Sequence, residues 1–547
     1  MPTINMPLMR FIERENRSSY WQVLLIATVS GIANSLLLGI INHAAEAVTQ
    51  NADLTQYFLL YITAFVLFLY GQWYAFGQAI QMVEEAIFNT RSRLTRKVQQ
   101  VELAFIETQG SNELYSRLTQ SDTLISQSIP QIIGAFQMFA LMVFSLLYLG
   151  YVSVASFVIT LLAIGLGVVY FLMQSQAIRA ALHTVKQKEE SYFASISHLV
   201  NGFKEIKVNE QKAKDLLKGI TSASHDAQLI KYEVGKLEAT IWGFGRLFIY
   251  ALLPIMVFIL PNLLHEQTQD IFKIVATLLF LTGSVTALVN IIPILNRVNL
   301  AVEDVFALET TMDNAIAHSQ VIAANTVNFQ DFNTLSIDCM QFSYPSTTGA
   351  AFGVGPFNEK IQRGELLFII GGNGSGKSTF LKLLTGLYYP QTGGLSVDDT
   401  PIDVGTYAAY RRLFSIIFTD FHLFDKFYGV PDVDVQKVNE WLEKMQMQHK
   451  VEYKNGGFTS TNLSTGQRKR LAFIAAMLED RPILVMDEFA ADQDPQFRQY
   501  FYETLLGEVK SMGKTIIAVT HDDHYFHVAD RVWKMDEGRI EKHSLTQ

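Results

Sequence analysis

The stretch Gly371-Gly-Asn-Gly-Ser-Gly-Lys-Ser378 decides the fold of the C-terminal half of this chain. It fits the pattern G-x-x-x-x-G-K-S/T, follows the apolar run Leu366–Ile370 and precedes the helix-forming run Thr379–Leu384. Glycines let the backbone curl so that N–H groups point at phosphate oxygens, and the following helix adds its dipole. We therefore predict that Lys377 reaches the β- and γ-phosphates of a nucleotide and that Ser378 holds Mg²⁺. The predicted phosphate-binding residues are Gly371, Gly372, Asn373, Gly374, Ser375, Gly376, Lys377, Ser378 and Thr379.

A second motif lies where an apolar run ends in two carboxylates, Ile483-Leu-Val-Met-Asp487-Glu488. Phosphoryl transfer needs a metal ligand and a group that orients the attacking water. Asp487 suits the Mg²⁺ shell, and Glu488 suits the base or the water-positioning role. An apolar run before Asp-Glu is by itself as often an ordinary buried strand as a catalytic one. Its place after the phosphate-binding loop favours a role in ATP chemistry.

The composition of the whole chain excludes several classes of protein. Hydrophobic residues make up 49% of the 547 residues and charged residues only 17%, which excludes a disordered chain and disfavours an ordinary soluble enzyme. The formal net charge of −9 argues against binding to nucleic acid. The single cysteine, Cys339, leaves no internal disulfide and no cysteine cluster for zinc.

The N-terminal half contains long segments without charged residues, namely 18–45, 54–83, 123–178, 247–265 and 274–296. A helix that spans a bilayer needs about 20 mostly apolar residues, and segment 123–178 accommodates two such helices with a turn at Gly150. The alternative is a large buried helical core, but soluble cores rarely repeat this length. The six predicted spans are about 20–43, 57–80, 130–149, 152–174, 243–264 and 272–295.

Basic residues concentrate in two of the predicted loops, 81–129 and 175–242, and are missing from the alternate loops. Because Lys and Arg accumulate on the cytoplasmic side, we expect both termini in the cytoplasm and a multi-pass protein in the lipid of the inner or plasma membrane. The polar, basic start before a full-length first span argues against a signal peptide. The lack of charge within the spans disfavours ion-coupled transport.

The composition changes after residue 296, and short apolar strands alternate with helices from about residue 330. We therefore predict a membrane domain at 1–325 and an α/β domain at 326–547. The two long basic loops show helical spacing, so the spans are predicted to continue as helices to tips near 107–113 and 200–210. These tips either touch the cytoplasmic domain or are solvated extensions.

Between the two nucleotide motifs lies Leu463-Ser-Thr-Gly-Gln467, which resembles the signature sequence Leu-Ser-Gly-Gly-Gln of ATP-binding cassette (ABC) proteins. Six spans followed by one nucleotide domain resemble the half-size ABC exporters over the whole chain. The resemblance implies a membrane α-helical bundle of the type IV exporter kind joined to an α/β P-loop domain that uses ATP and Mg²⁺. It also implies a switch histidine at His521, which joins Glu488 and Lys377 as a catalytic residue. Adenine is expected to stack on Tyr344, and the D-loop is expected to end at Asp494.

The resemblance further implies a dimer, because the signature of one ABC domain completes the ATP site of another. The simplest partner is a second copy of this chain. A heterodimer is the alternative, but the presence of Glu488 gives no sign of a degenerate site. The residues expected to face the partner's nucleotide are Ser464, Thr465, Gly466 and Gln467. Thr465 departs from the commoner Gly of the family.

A second departure concerns the metal. ABC domains normally carry a glutamine four residues before a Leu-Phe pair, but Thr419 stands at that position here, with Asp420 next to it. We hypothesise that Asp420 or Thr419 contacts the metal shell directly or through water. The predicted metal ligands are Ser378, Asp487 and Asp420.

Three short segments narrow the resemblance: Phe418–Asp425, Ala490–Pro495 and Thr520–Phe526. They resemble the cyclic-peptide and siderophore-peptide exporters, which include the pyoverdine, syringomycin and lasso-peptide microcin exporters. The resemblance implies ATP-driven export of a modified or cyclic peptide, or of a peptide siderophore, by alternating access. The alternatives are an exporter or flippase for lipid or hydrophobic drugs, and a membrane protein in which ATP only gates a complex.

Overall fold

The computed structural model describes residues 7–15, 20–49, 53–260, 268–317, 327–344, 352–430 and 432–543. The chain divides into two compact units. The first unit comprises Met1–Gln99 and Gly110–Asp313, and the second comprises Gln100–Gln109 and Asn314–Gln547. The predicted boundary at 325/326 lies outside the described residues and stays a prediction.

The described part of the first unit is built from helices, five of which are long and apolar enough to cross a membrane. These five segments are Trp21–Val48, Thr55–Gln100, Asp122–Val152, Val154–Gln174 and Ile271–Ile316. The described helices of this unit are Pro7–Glu15, Tyr20–Thr49, Thr55–Gln100, Ser111–Val152, Val154–Asn201, Phe203–Val208, Glu210–Pro254 with its π-helical continuation Ile255–Ile259, and Thr268–Ala317. Several helices extend far beyond the predicted spans.

The predicted spans and the helices differ at two places. Gly150 lies within the helix Ser111–Val152, and the break falls at Ser153, because its side chain accepts a hydrogen bond from the Ser156 N–H (3.3 Å) and caps the next helix. The predicted span 243–264 runs into residues outside the described ranges, and its described part includes the apolar helix end Tyr250–Ile259. Six spans therefore stay a prediction.

Small residues set how closely these helices pack. The buried residues of helix Thr55–Gln100 include Ala64, Gly71, Ala75, Ala79 and Ala86. A Cβ on Gly31 would lie 2.7 Å from the Cβ of Ala140, so two helices touch there at backbone distance. Apolar side chains such as Trp73 instead face outward, with 74% of the residue exposed. This is the arrangement of a helical bundle whose outer surface suits lipid.

The second unit contains twelve described strands and short helices. The strands are β1 Thr334–Ser343, β2 Gly353–Gln362, β3 Leu366–Gly371, β4 Thr392–Val397, β5 Thr400–Pro401, β6 Phe414–Ile417, β7 Tyr453–Lys454, β8 Gly457–Phe458, β9 Ile483–Asp487, β10 Thr515–Val519, β11 Arg531–Asp536 and β12 Arg539–His543. The helices and single turns are Leu103–Gln109, Lys377–Leu384, Tyr407–Arg411, Val435–Lys444, Thr465–Leu478, Phe489–Asp492, Pro495–Tyr500, Phe501–Leu505, Leu506–Ser511 and Asp523–Val528.

A six-stranded sheet in the order β12-β11-β3-β10-β9-β6 forms the centre of this unit, and all its strands except β12 are parallel. An antiparallel sheet in the order β2-β1-β4-β5 packs beside it. Strand β3 is buried on both faces, since Leu366 and Phe368 belong to one core and Leu367 and Ile369 to the other. The carboxyl ends of β3, β10 and β9 are neighbours, which is where open α/β sheets bind ligands.

Candidate nucleotide-binding site

The loop between β3 and the helix Lys377–Leu384 has the backbone geometry of a phosphate cradle. Gly371 and Gly376 adopt φ angles of 151° and 99°, which favour glycine. A Cβ on Gly371 would also lie 2.2 Å from the carbonyl oxygen of Met535. The glycines therefore allow a turn that no other residue would fit. Of the other predicted loop residues, Gly372, Asn373, Gly374 and Ser378 are exposed, and Ser375 and Thr379 are buried.

Lys377 is buried in this loop. Its Nζ donates hydrogen bonds to the carbonyl oxygens of Gly371 (2.8 Å) and Gly372 (2.9 Å). Burial lowers the pKa of Lys377, while the nearby carboxylates of Glu488 and Asp487 oppose that shift. The loop thus holds a cation beside the exposed glycine amides, as the binding of an anionic phosphate requires.

Ser378 and Asp487 form the predicted metal pair. The Ser378 hydroxyl donates to Asp487 Oδ2 at 2.9 Å, and Asp487 is only 3% exposed. Burial raises the pKa of Asp487, and the hydrogen bond from Ser378 acts in the opposite direction. A buried carboxylate next to a hydroxyl offers the hard oxygen donors that Mg²⁺ prefers, so the residues present fit this ion.

Thr419 and Asp420 occupy different surroundings. The Thr419 hydroxyl donates to the carbonyl oxygen of Asp487 at 3.4 Å, which places it against the backbone of the metal pair. Asp420 is exposed, and within the described part of the chain no hydrogen bond or ion pair joins it to Ser378 or Asp487. A direct role in the metal shell stays a prediction for Asp420.

Glu488 and His521 face each other at the ends of two neighbouring strands. His521 Nε2 lies 3.1 Å from Glu488 Oε1. Glu488 follows β9 with a left-handed φ of 50°, and such a conformation costs a non-glycine residue roughly 1–3 kcal/mol. Strained residues of this kind cluster at functional sites, because the surrounding structure must hold them there. The pair can orient a water molecule or relay a proton.

Tyr344 lies beside the start of the phosphate-binding helix, and its role in stacking on adenine stays a prediction. Its hydroxyl is 3.1 Å from the Thr379 Oγ1. Its ring contacts Tyr388 edge to face, with ring centres 6.0 Å apart. Residues 345–351, which follow it, lie outside the described residues.

The signature residues begin the helix Thr465–Leu478. Ser464 caps this helix, and its side chain and that of Gln467 form a reciprocal capping box. Gly466 is buried, and a Cβ there would lie 2.4 Å from the Asp492 carbonyl oxygen. Ser464 and Thr465 are exposed. Within the described residues, no hydrogen bond or ion pair connects these signature residues to the phosphate-binding loop.

The predicted end of the D-loop is tied to the signature helix. Asp494 caps the helix Pro495–Tyr500 by accepting from the Phe497 N–H (2.9 Å), and this hydrogen bond lowers the pKa of Asp494. Arg470 donates to Asp494 Oδ2 at 2.6 Å and to Gln493 Oε1 at 2.8 Å. The contacts of Arg470 are not among those predicted from the sequence, because the basic run Arg468–Arg470 is typical of a solvent-exposed surface.

The helix Leu103–Gln109, which falls at the predicted loop tip near 107–113, belongs to the second unit and contacts it directly. Glu107 Oε1 lies 2.7 Å from Lys382 Nζ, and the Tyr388 hydroxyl donates to Glu107. Lys382 lies on the same helix as Lys377 and Ser378. The predicted tip near 200–210 belongs to the first unit.

The structure therefore brings the predicted residues together in two groups. The first surrounds the carboxyl ends of β3, β9 and β10 and contains Lys377, Ser378, Asp487, Glu488 and His521, with Tyr344 and Thr379 beside them. The second contains Ser464, Thr465, Gly466, Gln467 and Asp494. Arg470, Gln493 and Glu107 have no diagnostic spacing in a single sequence.

Two family models match the chain: the ABC transporter transmembrane region over residues 21–288 and the ABC transporter domain over residues 354–491. The ATP-binding protein SyrD of Pseudomonas syringae pv. syringae is 30% identical over 535 residues, which cover 94% of this chain and 93% of the relative. The lactococcin-A transport/processing ATP-binding protein LcnC of Lactococcus lactis is 24% identical, covering 81% of this chain and 62% of the relative. An ATP-dependent lipid A-core flippase of Chromohalobacter salexigens is 29% identical over 33% of each chain.

Proposed function

The chain belongs to the ABC transporters, and from this premise we propose that it exports a modified or cyclic peptide, or a peptide siderophore, as a homodimer. It is an ATP-hydrolysing, multi-pass membrane protein of the exporter type. The observation that carries the proposal is the pairing of Glu488 with His521 beside the Lys377 loop in a chain similar to SyrD over nearly its whole length.

In the proposed ATP site each residue has one role. Lys377 and the loop amides bind the phosphates, and the Tyr344 ring stacks on adenine. Ser378 and Asp487 would hold Mg²⁺, which supplies charge neutralisation on the phosphate oxygens when bound. Glu488 orients the attacking water. His521 holds the Glu488 carboxylate in place, and the His521 ring also faces the γ-phosphate.

A homodimer is proposed because, within the described part of their own chain, the signature residues cap a helix and make no hydrogen bond to the phosphate-binding loop. Ser464 and Gln467 cap a helix, and they are not hydrogen-bonded to the described phosphate-binding loop. The exposed Ser464 and Thr465 are therefore free to face the nucleotide of a second copy. ATP held between two copies would clamp the two domains, and hydrolysis would release them, which drives alternating access in the membrane domain.

The proposed cargo is supported by a cavity within the first unit. The cavity has a volume of about 230 Å³, and apolar side chains line it, among them Phe139, Ile164, Phe244 and Val289. No charged side chain is among the described residues of its wall, and Tyr170 supplies a hydroxyl. Such a wall suits the apolar side chains or rings of a peptide with few charges.

A lipid or a hydrophobic drug is the second candidate cargo. The same apolar wall favours it, as does the partial similarity to a lipid A-core flippase. That similarity covers only 33% of this chain, whereas the similarity to SyrD covers 94%, so the peptide is the first choice.

The test is ATP-driven accumulation of a panel of cyclic peptides in inside-out membrane vesicles, with wild type beside Glu488→Gln. We expect accumulation of at least one peptide in wild type and loss of accumulation in the variant. The direction also tests the proposed orientation, in which both termini and the ATP sites face the cytoplasm.

Vesicles that hydrolyse ATP but accumulate no peptide contradict the peptide cargo. Movement of a fluorescent lipid between the leaflets in those vesicles would then support the second candidate. The dimer is tested separately by mixing wild-type chains with Ser464→Arg chains and measuring ATP turnover. If each ATP site uses residues from both copies, turnover should fall in proportion to the fraction of mixed dimers.

A further inference from the structure

We propose that Lys469 is a positioning residue that holds Glu488 in its working conformation and connects it to the signature helix of the same chain. This inference rests on the proposed role of Glu488 in orienting water. Lys469 matches no motif, and its neighbours Arg468 and Arg470 suggest a solvated basic run. In the structure, however, Lys469 is only 1% exposed.

The Lys469 ammonium contacts both ends of the short turn Phe489–Asp492. At the start of the turn its Nζ donates to the Glu488 carbonyl oxygen at 2.7 Å. At the end of the turn it lies 2.7 Å from Asp492 Oδ2. One buried cation therefore fixes the length and the orientation of the segment that begins with Glu488.

Glu488 needs such support because its backbone is strained. Its φ of 50° lies in the left-handed region, which residues with a Cβ rarely adopt. Its N–H donates to the Val519 carbonyl oxygen (3.1 Å), and its carboxylate faces His521. Lys469 secures the remaining side of the residue, the carbonyl group, and so sets where the carboxylate points.

The position of Lys469 in the chain explains why this contact matters. It lies in the first half of the helix Thr465–Leu478, which begins with the signature residues. At the start of that helix Gly466 packs against the Asp492 carbonyl and accepts a hydrogen bond from Gln493 Nε2 (3.0 Å). A shift of the signature helix on meeting a partner copy would thus reach Glu488 through Lys469.

The experiment compares Lys469→Met with Lys514→Met in the full-length protein, using kcat and KM for ATP, ATP binding and thermal unfolding. Lys514 is a matched control, because it is also buried and also contacts one carboxylate, that of Asp480 (2.5 Å), and one main-chain carbonyl, that of Arg481 (2.7 Å). We expect Lys469→Met to lower kcat at least tenfold with KM within twofold, and Lys514→Met to leave kcat within twofold of wild type.

A wild-type kcat in Lys469→Met overturns the proposal, as does an equal loss of kcat in Lys514→Met. If Lys469→Met does not fold, Asp492→Asn carries the test, since the Asp492 side chain is 45% exposed and the variant removes only the charge at the far end of the turn. We expect Asp492→Asn to lower kcat severalfold, and an unchanged kcat overturns the proposal. Glu488→Gln in the same series separates the two claims: if it still hydrolyses ATP, the proposed role of Glu488 has failed, whatever Lys469 does.

Discussion

The second unit buries Lys377, Lys469 and Asp487, and each of them contacts groups outside its own helix or strand. The first unit buries Thr160 and Thr277, whose hydroxyls donate to the carbonyl oxygen four residues earlier in their own helices. The first kind of contact fixes distant parts of the chain relative to each other. The second kind satisfies a hydroxyl locally and leaves the helices to be held by packing.

The first unit also has buried groups that bond across helices: the Ser30 hydroxyl donates to the Phe68 carbonyl oxygen (3.1 Å), and Asp122 pairs with Arg91. Glu309 is a further exception. It is 2% exposed and contacts Arg93 and Lys97, each at 2.7 Å. These three residues lie outside the charge-free segments of the sequence.

The comparison teaches that the working site of the second unit depends on buried charge, although Lys514 shows that a buried charge there can also lie away from the site. In the apolar part of the first unit, packing of small side chains carries most of the organisation.

The comparison is tested most strongly at Lys377, where the largest effect is expected. Lys377→Met keeps most of the buried volume but removes the cation from the loop carbonyls and from the phosphates. We expect kcat for ATP hydrolysis to fall roughly 10²-fold or more, as when one preorganised charge-stabilising donor is removed. Steady-state hydrolysis by the purified protein measures this.

The control for that experiment is Lys534→Met, which changes an exposed lysine in the same unit. Its turnover should stay within twofold of wild type. If Lys377→Met kept more than a tenth of the wild-type turnover, the working site would not depend on its buried charge and the comparison would fail.

The two units also differed in what the sequence predicted. In the second unit, Lys377 and Asp487 lie far apart in sequence and were predicted to meet, because phosphate chemistry restricts which residue types follow which strands. His521 was added to this site by the resemblance to ABC proteins. The structure places all three at neighbouring strand ends. Lys469 and Arg470 were missed, because a buried cation and a solvated one look alike in a single sequence.

In the first unit the apolar segments were predictable, since a bilayer imposes their length and composition. The turn was predicted at Gly150 but lies at Ser153. Both a flexible glycine and a capping serine can mark the end of a helix, and here they stand only three residues apart. The apolar cavity of the first unit has no sequence signature, because an apolar residue in its wall cannot be told from one that faces lipid.

A medium effect is expected where shape holds the first unit together. Gly31→Leu places a side chain where Ala140 Cβ and the Gln137 carbonyl oxygen already lie within 2.8 Å of the new Cβ. We expect a loss of about 1–3 kcal/mol in stability from overpacking, measured as a lower midpoint of thermal unfolding in detergent.

Gly39 on the same helix is the matched control, because nothing lies within 4 Å of a Cβ built there. Gly39→Leu should leave the midpoint nearly unchanged. Equal losses at the two positions would mean that leucine disturbs this helix wherever it stands, and that close approach at Gly31 does not hold the helices.

The smallest effect is expected at Glu107, where a surface contact joins the helix Leu103–Gln109 to the rest of the second unit. Burial raises the pKa of Glu107, but the hydrogen bonds from Lys382 and Tyr388 outweigh it, so the pKa lies below its ordinary value of 4.5. A lowered pKa in the folded state means that the contact stabilises the fold above pH 4.5 and loses this contribution as the pH falls below it. Glu107 is partly exposed, so solvent screens its ion pair with Lys382. We expect a double-mutant cycle of Glu107→Gln with Lys382→Met to give a coupling free energy of about 0.5–1 kcal/mol at pH 7. Unfolding of the full-length protein measures this coupling. The coupling should begin to shrink as the pH falls below 4.5, and it should vanish only when the pH lies below the lowered pKa of Glu107 in the folded state. A coupling that stays constant while the pH falls from 7 until the fold is lost would show that shape rather than charge holds this helix to the rest of the second unit.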